Sequence, residues 1–353
     1  WISYPKIIIN IENYRHNLKT LLNTSHKNGI SVMGVSKVFC ADHNLTKVLI
    51  EEKIDYIADS RIENLESIDT VIPKVLLRLA SYGDAERTVL SSDISLNSEI
   101  ETIKRLNSFS LKHKIKHGII LMIDLGDLRE GIFDQKEIYS SVKSIIQLDN
   151  IALKGIGTNL TCFGGVIPTA ETLKRLVDIK NEIEKQFDIT LEIISGGNSS
   201  SIELLTHGKI PYGINNLRLG ESIVLGRETA YGSFIEGTYS DIFTLEAEII
   251  EIKDKPSIPI GEIGMNAFGK KPVFTDKGTM KRAILAIGKQ DVDFKELIPY
   301  DTIDIIGSSS DHIIVDLSNS LTIYEIGDTI KFMLTYSSIL SLMTSKYVRK
   351  EYE

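Results

Sequence analysis

Cysteine, histidine and tryptophan are all scarce in this sequence, and basic residues are outnumbered by acidic ones. Two cysteines in 353 residues, Cys40 and Cys162, are too few for a disulfide framework, and their spacing matches no zinc-ligand pattern. Seven histidines with no His/Asp cluster give no reason to expect a metal. No apolar run approaches the roughly 18–20 residues a membrane-spanning helix needs, and no secretory signal pattern is visible. A net charge of −8 argues against general binding to a phosphate backbone. The most basic stretch, "LKHKIKHG" (111–118), reads as a solvated helix end before a strand. Low-complexity segments and short repeats are absent too. These absences point to a globular cytoplasmic protein, and 42% hydrophobic with 25% charged residues is usual for an enzyme. The length exceeds one ordinary compact core, so two domains, or one large barrel with an appendage, are expected.

What the chain does have is a regular order of apolar runs. "KIIINI" (6–11) leads, followed by a helical pattern through Tyr14, Leu18, Leu21 and Leu22. Eight further runs begin at residues 30, 55, 74, 93, 118, 151, 191 and 215, the last being "NNLRLGESIVLG" (215–226). Most are separated by amphipathic helix patterns, such as "TAETLKRLVDIKNEIEKQF". The runs are nearly continuous in apolar residues, as strands covered on both faces should be. Eight β/α units predict a parallel (β/α)8 TIM-type barrel over residues 1–230, and the leading strand could instead pack with the C-terminal domain. From residue 231 strand-like segments alternate with Gly, Pro, Asp and Ser turns, which predicts a mostly antiparallel β domain over 231–353.

In a parallel barrel, chemistry gathers where the strands end. The first barrel strand delivers Lys37, a residue type seldom fully buried. "GDLREG" brings Arg129, "GTNLTCFGG" brings Asn159 and Cys162, and "NNLRLGES" brings Arg218, Gly220 and Glu221. "SGGNSSS" (195–201) offers glycine N–H groups, hydroxyls and a helix N-cap, a good cradle for an anion after the seventh strand. A lysine amine in an enclosed site beside other cations loses its proton more readily than a free one and can form a Schiff base. Lysine and phosphate cradle on one rim imply pyridoxal 5'-phosphate, with Arg218 facing the pyridine nitrogen and limiting its electron withdrawal.

These residues resemble the alanine-racemase-type (fold type III) pyridoxal-phosphate enzymes, most closely the ornithine and related amino-acid racemases, over essentially the whole chain. "GVSK" is similar to the segment holding the cofactor lysine, and "GDLREG" to the one whose arginine reaches the phenolic oxygen. "SGGNSSS" and "RLGES" resemble the phosphate-binding Asn–Ser pair and the Arg-x-Gly strand, which implies cofactor roles for Asn198, Ser199, Arg218, Gly220 and Glu221. "LTYSS" resembles the segment with the phosphate-binding tyrosine, here Tyr336. "GSSSDHIIVDL" resembles the loop reaching the partner subunit's site, which implies Ser310 and Asp311 beside the substrate carboxylate. The resemblance therefore implies a homodimer acting on a free amino acid.

Two departures stand out. Asn159 occupies the place of the histidine over the pyridine ring, and "NAFGKK" puts Phe268 where a tyrosine base is expected. Racemisation needs two acid/base groups on opposite faces of Cα. Lys37 serves one face; Asn266, Lys289, His312 and Cys162 are candidates for the other. Ornithine is the favoured substrate by overall resemblance, with lysine, alanine and serine as alternatives. A fold type III decarboxylase would show a cysteine motif in its C-terminal domain, a D-amino-acid aldolase would need metal ligands, and a non-catalytic cofactor carrier would end at the barrel.

Overall fold

The computed structural model describes residues 3–266 and 268–353. The chain divides into two compact units: Asn13–Ser240, and residues 3–12 together with Asp241–Glu353. The division falls later than the expected 230/231 boundary. Residues 226–239 fold back within the first unit, where Ile235 N–H donates to Gly226 O (2.8 Å). The buried side chain of Asn17 donates to Ile223 O (3.0 Å) and Tyr239 O (2.8 Å) and accepts from Tyr239 N–H (2.8 Å). A side-chain amide placed this way satisfies the backbone of a segment that forms no strand of its own.

The leading strand β1 (Lys6–Ile9) belongs to the second unit. The first unit is a closed barrel of eight parallel strands: β2 (Ser31–Val35), β3 (Tyr56–Asp59), β4 (Lys74–Leu76), β5 (Ile94–Asn97), β6 (His117–Met122), β7 (Ile151–Gly157), β8 (Ile193–Ser195) and β9 (Asn216–Leu219). β2 pairs with both β3 and β9, which closes the ring. Its interior is filled by Met33, Val35, Ala58, Val75, Ile94, Leu96, Ile120, Met122 and Ile193, all buried. This is a packed core, as the fold requires, so ligand chemistry is confined to the rim. Helices such as Ile11–Lys27, Ile100–His113 and Ala170–Phe187 intervene between the strands.

Two local expectations are corrected. The run 215–226 is not one strand. It turns at Gly220 and continues as the helix Glu221–Leu225, closed by Gly226 at φ 60°, because glycines at both ends and an acidic first turn favour a short helix over further strand. His117, in the stretch expected to be solvated, is fully buried as the first residue of β6, with Nε2 2.8 Å from Ser95 Oγ. Burial pushes its imidazole down to about 4.

The second unit is a mostly antiparallel sheet. β10 (Phe243–Pro256), β11 (Thr279–Leu285), β12 (Leu297–Pro299), β13 (Asp304–Ser308), β14 (Ile313–Asp316) and β15 (Thr329–Leu334) run in the order β12-β15-β10-β11-β14-β13. β1 joins β10 antiparallel and β16 (Arg349–Tyr352) parallel. Alternate residues of β15, namely Ile330, Phe332 and Leu334, point inward, the period-2 pattern of a one-sided sheet. No helix among the described residues is long and apolar enough to cross a membrane.

Candidate active site

β2 ends at Val35, and the chain then turns sharply. Ser36 is buried, Lys37 opens a 3-10 turn through Phe39, and Cys40 (φ 54°) and Ala41 (φ 51°) follow in left-handed conformation. Val38 and Phe39 are buried, and Phe39 meets Tyr14 edge-on at 5.9 Å, so apolar neighbours anchor the turn while Lys37 stays half-buried. Asp42 then caps the helix His43–Glu51 by accepting from Asn44 and Leu45 N–H.

The neighbouring strand brings in Arg218, which lies opposite Met33 in the β2–β9 register. Gly220 allows the close approach of these strand ends, since a Cβ there would stand 3.1 Å from that of Val35. Arg218 is 5% exposed, so each of its hydrogen bonds is made without competing water. It donates to Ser195 Oγ (2.6 Å), Thr158 O (2.7 Å) and Asn159 Oδ1 (3.4 Å). Burial pushes its pKa down to about 10, against the pull of Glu130 and Cys162. The side chain is still a cation near neutral pH.

The serine-rich segment after β8 forms the next part of the rim. Asn198 caps the turn Ser199–Ser201 by accepting from Ser200 N–H (2.8 Å). Its amide donates to Asn159 Oδ1 (2.7 Å), Leu160 O (3.0 Å) and Cys162 Sγ (3.3 Å). Ser199 Oγ donates to Ser222 Oγ (2.9 Å) and accepts from Ser222 N–H (3.1 Å), which ties the turns after β8 and β9 together. Ser200 Oγ and Thr158 Oγ1 are buried without a hydrogen-bond partner. Glu221, in contrast, is an ion-pair partner: its carboxylate accepts from Arg227 Nε (2.9 Å) and Nη2 (2.7 Å).

Arg129 is exposed, and Glu130 holds it through Nε–Oε2 and Nη2–Oε1 (2.8 Å) contacts. Burial would raise the Glu130 carboxyl, but the bonded charge of Arg129 and the field of Arg218 bring it below the ordinary range. The loops after β6 and β7 meet at Asp127. Its buried carboxylate accepts from Thr161 N–H (3.0 Å), Phe163 N–H (3.0 Å) and Val166 N–H (3.1 Å). Burial opposes ionisation there and the backbone donors outweigh it, so its pKa is lowered. Sequence reading passes over Asp127, Glu130 and Ser222. An aspartate two residues before Arg129, in a loop following a strand, is the available signal for such turn chemistry.

Lys37, Arg129, Asn159, Cys162, Asn198, Ser199, Arg218 and Gly220 therefore all stand in the barrel unit where strands end. A second group lies within the C-terminal unit. Lys289 N–H donates to Ser309 O (2.9 Å), Gln290 N–H donates to Ser310 O (3.0 Å), and Ser309 N–H donates to His312 O (2.8 Å). A Cβ on Gly288 would lie 2.3 Å from Ser310 O, so only glycine admits this packing. The Lys289 ammonium sits 4.2 Å from the Phe268 ring centroid, a cation–π contact. Lys289, Ser310, Asp311 and His312 are exposed. Asn266 is spent on a local turn, accepting from Phe268 and Lys270 N–H. Tyr336 opens the helix Tyr336–Thr344 behind a Thr335/Ser338 capping box.

A model of the alanine racemase N-terminal domain matches residues 9–228. An ornithine racemase of Acetoanaerobium sticklandii is 49% identical over 350 residues, covering 99% of each chain. A lysine racemase of Thermotoga maritima is 39% identical over 354 residues, again covering 99% of each. The solved alanine racemase of Bartonella henselae, described with covalently bound pyridoxal phosphate, shares the fold at a TM-score of 0.75 and 17% identity, covering 100% of both chains.

Proposed function

Because the chain belongs to the alanine racemase N-terminal domain family, we propose that it is a pyridoxal-phosphate-dependent amino-acid racemase whose favoured substrate is ornithine. The observation that carries this reading is the placement of a half-buried strand-end lysine beside a strand that carries a buried arginine bonded to three acceptors. The names of the two full-length relatives direct the substrate toward a basic amino acid, ornithine ahead of lysine.

The donor set suits the cofactor. Two buried hydroxyls without partners, Ser200 and Thr158, stand among asparagine amides and a cation, as a phosphorylated ring with a phenolic oxygen would need. When bound, pyridoxal phosphate supplies a carbonyl that condenses with amines and a ring that accepts the electron pair released at Cα. Lys37 would hold it covalently; Asn198, Ser199, Gly220 and the segment through Glu221 would face the phosphate, with Tyr336 a further phosphate ligand. Arg218 and Asn159 would stand against the ring and Arg129 against its phenolic oxygen.

Once displaced by substrate, the Lys37 amine takes or returns a proton on one face of Cα. The other face needs a second group. Lys289 is the best supported, because its backbone is fixed to the 309–312 loop and its ammonium to Phe268. His312 and Cys162 are the alternatives, and Asp311 would orient the substrate. The likeness of "GSSSDHIIVDL" to a loop that reaches the partner subunit's site supports a homodimer that completes each site across its interface. Both cysteines are free, which suits the reducing cytoplasm.

The deciding experiment incubates the cofactor-loaded protein with L-ornithine and follows D-ornithine by chiral chromatography, alongside CO2 release. D-ornithine without CO2 is expected. CO2 release would make the protein a decarboxylase, and neither product with cofactor retained would make it a carrier.

A further inference from the structure

Behind the Lys37 turn lies a carboxylate that racemisation by Lys37 and Lys289 leaves unused. Asp59 ends β3, next to β2, and is completely buried. Its Oδ2 accepts from Ser36 Oγ (2.7 Å), while its Oδ1 accepts from Arg61 N–H (2.8 Å) and Asn64 Nδ2 (3.0 Å). All three donors are neutral. The positive charge acting on the carboxylate is that of Lys37, immediately after Ser36. Burial raises the carboxyl above the ordinary carboxylate range, and the three hydrogen bonds and the Lys37 charge offset this only in part. Arg61 is directed to Glu63 (3.8 Å), and Cys40 Sγ reaches Asn64 Oδ1 (3.7 Å).

Burying a carboxylate without a directly bonded cation is costly unless it serves a charge close by. Here the close charge is on the nitrogen assigned to bind the cofactor. Ser36 couples the two mechanically, since its hydroxyl holds Asp59 while its carbonyl accepts from Phe39 N–H (3.2 Å) and Ala41 N–H (3.2 Å) of the Lys37 turn.

We propose that Asp59 is a positioning residue for Lys37, anchoring its turn through Ser36 and favouring the protonated form of the lysine nitrogen when it is joined to the cofactor. The proposal rests on Lys37 being the cofactor lysine. In that role Asp59 touches neither substrate nor cofactor. It acts through the turn and through its field.

The test is a pH titration of the visible absorbance of the cofactor-loaded protein, after borohydride trapping and mass analysis have located the cofactor on Lys37. Asp59→Asn removes the charge and keeps the shape, so the midpoint should fall by about one pH unit, as expected for a fixed charge several ångströms away. Ser36→Ala removes one of the three donors that keep the carboxylate ionised, so its midpoint should also fall, by a few tenths of a unit. Two downward shifts, the larger in Asp59→Asn, support the electrostatic role. If the Asp59→Asn midpoint does not fall, the proposal is overturned and the Lys37 assignment survives. If Asp59→Asn does not fold, a Ser36→Ala midpoint at or above the wild-type value overturns it. Absence of a trapped adduct on wild-type Lys37 would instead overturn the assignment of the site.

Discussion

Arg218 in the barrel unit is 5% exposed and bonded to three acceptors, whereas Lys289, Asp311 and His312 in the C-terminal unit stand in solvent. The barrel's polar groups are wired to one another: Asn198 to Asn159, Ser199 to Ser222, Asp127 to three backbone N–H groups. The C-terminal group is held by backbone contacts around Gly288 and by one ring contact, with its charged tips left open. Pre-paired donors in a dry rim are suited to holding a fixed ligand, because they need no reorganisation. Exposed charges on a fixed backbone are suited to meeting something that arrives, whether substrate or a second copy of the chain. The contrast gives the two units different expected responses to mutation.

The largest effect is expected at the barrel rim. Lys37→Ala should lower D-ornithine formation by at least about 10³-fold, since it removes the proposed anchor and base together, and should abolish the borohydride-trapped adduct. Activity within tenfold of wild type would erase the contrast. Arg218→Leu should destabilise the barrel by roughly 3–5 kcal/mol in urea unfolding, because Ser195, Thr158 O and Asn159 lose their buried donor.

The third test uses pH. The folded-state pKa of His117 is depressed to about 4 from an ordinary 6.5. Its contribution is thus fully present above pH 6.5 and is lost as pH falls toward 4. The change should amount to ~3 kcal/mol, and His117→Gln should flatten that slope in unfolding measured over this window. An unchanged slope would mean the imidazole is not buried as described.

The smallest effect on the fold is expected in the C-terminal group. Lys289→Ala should reduce kcat by about 10–100-fold if it serves the opposite face, while stability stays within about 0.5 kcal/mol, as for an exposed side chain. His312→Ala, measured in parallel, sharpens the comparison: a larger kcat loss there would transfer the role.

Much of the architecture is legible in the chain. All eight barrel strands are present near their expected places because buried parallel strands must be apolar throughout, and that pattern survives without tertiary context. Lys37 can be singled out because a cation at the end of such a run is anomalous. Strand ends are less legible: β4 stops at Leu76, although its apolar run continues to Ala80. His117 misleads because neighbouring lysines make its segment look solvated, while only the strand register turns it inward. Asp59 and Asp127 give little signal, since an aspartate near a strand end is ordinary turn chemistry until its partners are known.

The order of apolar runs and turn residues determined by itself that this chain alternates eight strands with helices before a β unit, and which side chains stand where the strands end. Periodicity is a local property, so it can be read one segment at a time. Which of those side chains are buried, who bonds to whom, and that residues 231–239 stay with the barrel were decided only in three dimensions. Those outcomes depend on pairs distant in the chain, such as Asn17 with Tyr239 and Ser195 with Arg218, and on the loss of water that makes an unpaired buried polar group costly.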